Sequence, residues 1–260
     1  MPDQKSTALL VAAAGLAVAV AAAVRAPSAP VATRADALQA GFEACTANFY
    51  EGFAPRVTNG PGQQRALCFA DFAVLHSGEA KAPLYAGEHI TPRSLADARD
   101  ESRTDKFYEE ARLPAAERAK LVDFRKSCDR GHLAAAAQRT TPAAMAQSFS
   151  LANMVCQAPK MNRGVWAKSV EKATRSYVAR GNEVFVLTGP IFRTPVRTTG
   201  PSEVWVPTTL FKLVYDPAKK RAWAYVVDNT DSATLNGTIS YADLVRLTGT
   251  RWLPPGALST

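Results

Sequence analysis

Cysteine pairs of the kind that hold structural zinc are missing from this chain. Its four cysteines, Cys45, Cys68, Cys128 and Cys156, include no Cys-x-x-Cys, which argues against a zinc ribbon or finger. An even count fits disulfides if the chain leaves the cytoplasm, and four cysteines allow three connectivities. Histidine is scarce as well, with only His76, His89 and His132. There is no internal repeat, which removes solenoid and propeller architectures. Acidic residues are in deficit, 23 against 31 Lys and Arg, for a net charge of +8. That excess suits a polyanionic substrate, although a basic solvated surface without such a role gives the same count. At 260 residues the chain can form one large domain or two small ones around a sizeable core.

What is there begins with an apolar run. Thr7–Val24, eighteen residues of mostly Ala, Val, Leu and Gly, follows Lys5 and stops at Arg25. Residues 1–34 therefore read as a secretory signal with small residues for cleavage. An uncleaved membrane anchor through residues 7–24 is the rival, since that length just spans a bilayer. The Ala-rich, weakly hydrophobic character favours cleavage. Removing residues 1–25 takes away two cations and one anion and leaves +7. The expected location is periplasmic or secreted, with a membrane-anchored form as the alternative.

The remaining chain, residues 35–255, reads as one α+β domain. Ala35–Phe49 is expected as a short helix and Arg65–Ser77 as one buried strand. A helix is expected to start at Leu113-Pro114, before Lys126. Asn162–Arg180 has helical spacing, with Val165, Trp166, Val170, Ala173 and Tyr177 on a packed face. Glu183–Leu187 reads as a strand stopped by Gly189-Pro190. Val206–Tyr215 and Arg221–Val227 read as an antiparallel pair, and Ser240–Leu247 as a helix ending at Gly249. Strands at irregular spacing with inserted helices point to α+β rather than a doubly wound sheet.

Chemistry is concentrated between Cys128 and Arg175. The segment holds Asp129-Arg130-Gly131-His132, Asn153 to Gln157, Asn162 to Trp166 and Glu171 to Arg175. A histidine can take a proton from water near neutral pH. An amide oxygen or carboxylate can hold Mg²⁺, which keeps several waters and needs few protein ligands. Arginine forks match phosphate oxygens and offset charge that develops in a transition state. These are the groups required to hydrolyse a phosphodiester beside a hard metal ion.

The same stretch resembles the DNA/RNA non-specific endonucleases of the ββα-metal finger superfamily. Their signature is Asp-Arg-Gly-His, an aliphatic residue, three variable residues and Ala, and Asp129 to Ala137 fits it throughout. Leu67–His76, Asn153–Gln157, Asn162–Trp166, Thr188–Pro190, Val206–Lys212 and Leu244–Gly249 also resemble family segments, so the likeness covers about residues 60–253. It implies a central antiparallel sheet flanked by helices with a ββα-metal finger site. The implied activity is metal-dependent endonucleolytic cleavage of DNA and RNA with little sequence specificity. His132 would be the general base and Asn162 the direct ligand to Mg²⁺, or to Mn²⁺ or another divalent cation. Glu171 would order metal-bound water, while Arg103, Arg130 and Arg175 balance phosphate charge. Asn153 would position the histidine or the metal helix, and Asp129 and Gly131 would shape a turn, with Gly131 in a glycine-type backbone conformation. Expected partners are the nucleic acid, a second copy of the chain in a homodimer, and the membrane if residues 7–24 are retained.

Two departures from the family stand out. Cys128 occupies a position that is commonly aromatic and Cys156 one that is usually proline, which implies a Cys128–Cys156 bond and leaves Cys45–Cys68. Each would contribute roughly 3 kcal/mol. The family glutamate usually lies four residues after the tryptophan, but Trp166 to Glu171 is five. On a regular α-helix the nine-residue step from Asn162 to Glu171 puts them on opposite sides, whereas eight would leave them about 80° apart. A π-bulge between them would absorb the extra residue. Without one, Glu171 is only a surface partner of Arg175. A non-catalytic DNA-binding or uptake protein on the same scaffold is the main rival, and a phosphodiesterase for small molecules the weaker one.

Overall fold

The structure is a computed structural model describing residues 38–124 and 128–259. The expected signal or anchor lies outside the described residues, as does Lys126. In chain order the strands are β1 (Gln64–Cys68), β2 (Ala73–Ser77), β3 (Ala82–Ile90), β4 (Asp129–His132), β5 (Met154–Gln157), β6 (Val184–Ile191), β7 (Arg197–Thr199), β8 (Val204–Val206), β9 (Thr209–Asp216), β10 (Arg221–Asp228) and β11 (Ile239–Ser240). The helices are α1 (Pro92–Asp97), α2 (Pro142–Ser148), α3 (Pro159–Met161), a π-helix (Asn162–Glu171) continuing into α4 (Lys172–Ala179), and α5 (Tyr241–Thr248).

Seven strands form one antiparallel sheet in the order β1-β2-β3-β6-β9-β10-β11. Strand β9, flanked by β6 and β10, is buried along its whole length, because both faces of the sheet are covered. Phe211, Leu213 and Tyr215 face a cluster that includes Phe42, Phe49, Leu244 and Trp252. Leu210 and its neighbours on the other face meet Leu133, Val155, Trp166 and Val170. Side-chain alternation along a strand produces this division. The second face carries a two-stranded unit of β4 and β5, followed by the α3–π–α4 helix, which is the expected ββα arrangement within an α+β fold.

Several elements follow from local chemistry. β9 and β10 pair from Thr209↔Asp228 to Asp216↔Arg221. Helix α5 starts where the Ser240 hydroxyl accepts from Asp243 N at 3.1 Å and ends at Gly249 with φ +67°, a left-handed cap that favours glycine. Both disulfides, Cys45–Cys68 and Cys128–Cys156, are formed.

Other expectations need correction. Arg65–Ser77 is two strands, joined by a turn in which Phe69 N donates to Phe72 O at 2.9 Å. No Gly or Pro marks that turn; Asp71 is its polar residue, and it accepts from Thr140 N and Oγ1. Within the described part of Ala35–Phe49, residues 38–49, the helical structure is a 3-10 segment, Glu43–Asn48, interrupted at disulfide-bonded Cys45 (φ −141°, ψ 32°). Leu113–Arg118 forms turns rather than a helix start, with a 3-10 segment only at Leu121–Phe124; Arg118 caps carbonyls of Glu110 and Leu113 there. Strand β6 runs through Gly189-Pro190 to Ile191. Its pairing with β3 ends at Thr188, so the missing N–H of Pro190 costs no bond on that side. Gly189 is needed for space: a Cβ there would meet the Phe211 ring and Leu84 O at 2.7 Å.

Candidate active site

Strand β4 delivers the signature residues, and alternation splits them between two faces. Arg130 and His132 point toward two aromatic rings. The Arg130 guanidinium lies 4.0 Å from the Phe107 centroid, and His132 sits 6.0 Å from Phe107 and 5.0 Å from Phe149. Arg103 lies over the other ring, 4.9 Å from Phe149. Arg103, Arg130 and His132 are thereby gathered around Phe107 and Phe149. Nε2 of His132 is buried and makes no hydrogen bond. Burial, then the positive charges of Arg103 and Arg139, push its pKa down to about 3, so the imidazole is neutral. Arg103 also donates to Asp105 at 2.6 Å, with side chains 52% and 64% exposed. A pair that open contributes little, so it does not commit the guanidinium.

On the opposite face Asp129 accepts from three donors. Asn162 Nδ2 reaches its Oδ2 at 3.0 Å, and Arg163 grips both oxygens at 2.8 and 2.5 Å. Asp129, on a strand and not in a turn, therefore anchors the start of the helix at Asn162. With Nδ2 so engaged, the Asn162 Oδ1 accepts nothing among the described residues. No group of three or more His, Cys, Asp or Glu able to hold a metal occurs among them either. One free amide oxygen suits a hard cation that retains most of its water, as Mg²⁺ does, and does not suit zinc.

Gly131 shows no positive φ; the expected glycine-type conformation is absent. The reason for glycine is a neighbour. A Cβ at 131 would lie 2.1 Å from Cδ of Gln157, a wholly buried side chain. The Gln157 amide nitrogen and oxygen have no partners.

Asn153 is fully buried and clamps the chain just after His132. Its Oδ1 accepts from Ala134 N, and its Nδ2 donates to Ala134 O and Ser148 O, all at 2.9 Å. Leu133 N donates to Asn153 O at 3.0 Å. Its side-chain bonds go to the histidine segment and to Ser148, not to the helix after β5.

The helix after β5 is widened where the spacing required it. Asn162–Glu171 is π-helical over ten residues, with Gly164 (φ −100°, ψ −107°) outside helical geometry. Trp166 and Val170 are buried within it, so Trp166 is a core anchor. Glu171 is 14% exposed, 3.5 Å from Arg175 Nη1, and close enough to Glu88 and Lys212 on the sheet to influence both. It lies on the inner flank of the helix, not on its solvent side.

Three buried charged residues were not legible as site residues. Arg139 Nη2 bonds Glu88 Oε1, and Lys212 Nζ donates to Thr188 Oγ1 at 2.6 Å. Isolated charges inside apolar strands, Glu88 in Tyr85–Ile90 and Lys212 in Leu210–Tyr215, were the available signal. Arg163 was missed as well. Of the other histidines, His76 is buried with both ring nitrogens unbonded, and His89 stacks on Phe185 and meets Glu183 at 2.7 Å.

Comparison with known proteins agrees with this geometry. The chain is 33% identical to bovine (Bos taurus) mitochondrial endonuclease G over 166 residues, 59% of this chain and 55% of that protein. It is 35% identical to the mitochondrial nuclease of Saccharomyces cerevisiae over 160 residues, covering 55% and 48%. Nuclease C1 of Cunninghamella echinulata is 32% identical over 168 residues, covering 59% and 66%. The chain thus spans about half the length of the first two. A crystal structure of an EndoG/EndoGI complex matches the fold with a TM-score of 0.62 at 21% identity, covering 74% of this chain and 86% of that one. The sequence model for DNA/RNA non-specific endonucleases matches residues 51–253, and on that match the chain belongs to the DNA/RNA non-specific endonuclease family.

Proposed function

We propose that this protein is an endonuclease that hydrolyses phosphodiester bonds of DNA and RNA with little sequence preference, with Mg²⁺ as its cofactor. One observation carries the reading. His132, with an unbonded Nε2, shares a four-residue strand with the Asp129 that orients Asn162. Bare nucleic-acid binding needs neither group.

His132 takes the proton from the attacking water, which a neutral imidazole can do. Asn153 keeps the histidine segment stationary. Arg103 and Arg130 meet the phosphate oxygens, and Arg103 can exchange its exposed pairing with Asp105 for a phosphate. Asn162 would hold the cation through Oδ1. When bound, the cation polarises the phosphate and stabilises the leaving 3′ oxygen. We assign Glu171 to holding water and returning a proton to that oxygen, with Arg175 setting its orientation. Contacts made to phosphates carry no sequence information, and low specificity follows.

The test is digestion of a supercoiled plasmid and of a structured RNA with and without EDTA. Cleavage that EDTA stops and Mg²⁺ restores supports the reading. Tight DNA binding with no cleavage in Mg²⁺ or Mn²⁺ would favour the binding protein instead.

A further inference from the structure

Glu88 lies on the face of β3 that looks toward the active-site half of the molecule, two residues from Ala86, which pairs with Thr188 of β6. Thr188 pairs in turn with Lys212 of β9. Glu88, Arg139 and Lys212 have essentially no exposure. Charges so far from water are costly unless they are paired, yet this chain keeps three together. Their contacts lead in two directions.

Toward the histidine, Arg139 bonds Glu88 through Nη2 and donates from Nε to Ala135 O at 3.2 Å. Ala135 is three residues past His132. The guanidinium also lies 5.0 Å from the Phe72 ring. This ties the segment after His132 to β3 of the central sheet, in addition to the Asn153 clamp. Toward the π-helix, Lys212 sits 5.9 Å from the Trp166 ring and within electrostatic reach of both Glu88 and Glu171.

We propose that Glu88 is a positioning residue for the His132 half of the active site. Through Arg139 it holds the His132 segment to β3. It touches neither substrate nor metal. This rests on the endonuclease reading, and it explains why a carboxyl group and a guanidinium are buried against each other in an otherwise apolar layer. A misplacement of about 1 Å at a reacting group can cost about a hundredfold in rate, so a tie on the base has kinetic weight.

The experiment compares the parent with Glu88→Gln, Glu88→Asp and the paired replacement Glu88→Leu with Arg139→Met. The parent's cleavage is measured first, with and without EDTA, since an inactive parent refutes the endonuclease reading and not the tie. In an active parent background, Glu88→Gln should lower kcat by about tenfold or more while KM stays within about twofold, and Glu88→Asp should restore part of the loss. The paired replacement removes both charges and is the variant best suited to fold; it should show the same split. A folded Glu88→Gln or paired variant with parental kcat overturns the proposal, as does a loss that merely matches the fraction unfolded. Hydrogen exchange on the parent tests it without any variant. The amides of Leu133, Ala134, Gln138 and Arg139 should open together with those of β3 and β9, and independent opening of that segment at lower free energy overturns the tie.

Discussion

Replacing His76 by phenylalanine should flatten the acid dependence of stability. His76 is on β2, buried, and neither ring nitrogen has a partner. Burial, reinforced by Arg65 and opposed by Glu117 and Glu110, holds its pKa at about 3 against an ordinary 6.5. The folded chain therefore does not bind the proton that the unfolded chain takes up below pH 6.5. Stability is lost as pH falls through that window, at about 1.4 kcal/mol per pH unit, until the folded value is reached. Between about pH 7 and pH 5 the loss from this residue is about 2 kcal/mol. Phenylalanine cannot titrate and fills similar space, and any packing penalty it brings is independent of pH. His132 titrates identically in both proteins and cancels from the difference. Urea unfolding of parent and variant at the two pH values, with disulfides intact, measures the gap at each. The variant should gain about 2 kcal/mol on the parent at the lower pH, or about 4–8 °C in Tm for a domain of this size. A gap that stays constant within about 0.5 kcal/mol would show that His76 takes up a proton in the folded state, and the reasoning from its burial would fail.

Other outcomes follow from the site. His132→Ala should abolish plasmid cleavage while Mg²⁺ and DNA still bind, so substantial cleavage by the purified variant would remove His132 as the base. Glu171→Ala should lower cleavage strongly, whereas deletion of Ser169, which restores the common four-residue spacing, should retain much of it; a silent Glu171→Ala would leave Glu171 as a mere partner of Arg175. Asn153→Ala removes three hydrogen bonds at a buried site and should cost about 3 kcal/mol or more, read from its denaturation midpoint. We expect residues 1–34 to direct export and both disulfides to form afterwards, so N-terminal sequencing should find Met1 absent; a reduced cytoplasmic protein retaining Met1 would contradict this.

Much of the site could be read from the sequence because its residues are close along the chain. Asp129 to His132, Asn153, Asn162 and Glu171 fall within one stretch. The extra residue before Glu171 signalled the widened helix, since a regular one would separate the two ends. β9, β10 and α5 were legible from alternation and capping. What escaped was set by distant contacts. The turn after Phe69 is held by the bond from Thr140 to Asp71, 69 residues apart, and no local turn signal announces it. Gly189-Pro190 stops many strands, but β6 has no partner to lose on that side. Arg139 and Glu88 are separated by 51 residues, and a single charge in an apolar run does not say which partner it will find. Gly131 was assigned a backbone conformation when its role is to leave room.

That last feature constrains variation. Position 131 contributes a vacancy, and Gln157 on the adjacent strand occupies it. Position 157 cannot recoil, being wholly buried. Alanine at 131 is therefore incompatible with glutamine at 157 but should be admissible beside a shorter residue there. The two sites form one allele in two pieces, and a library that varies the signature alone samples a landscape already closed by its neighbour.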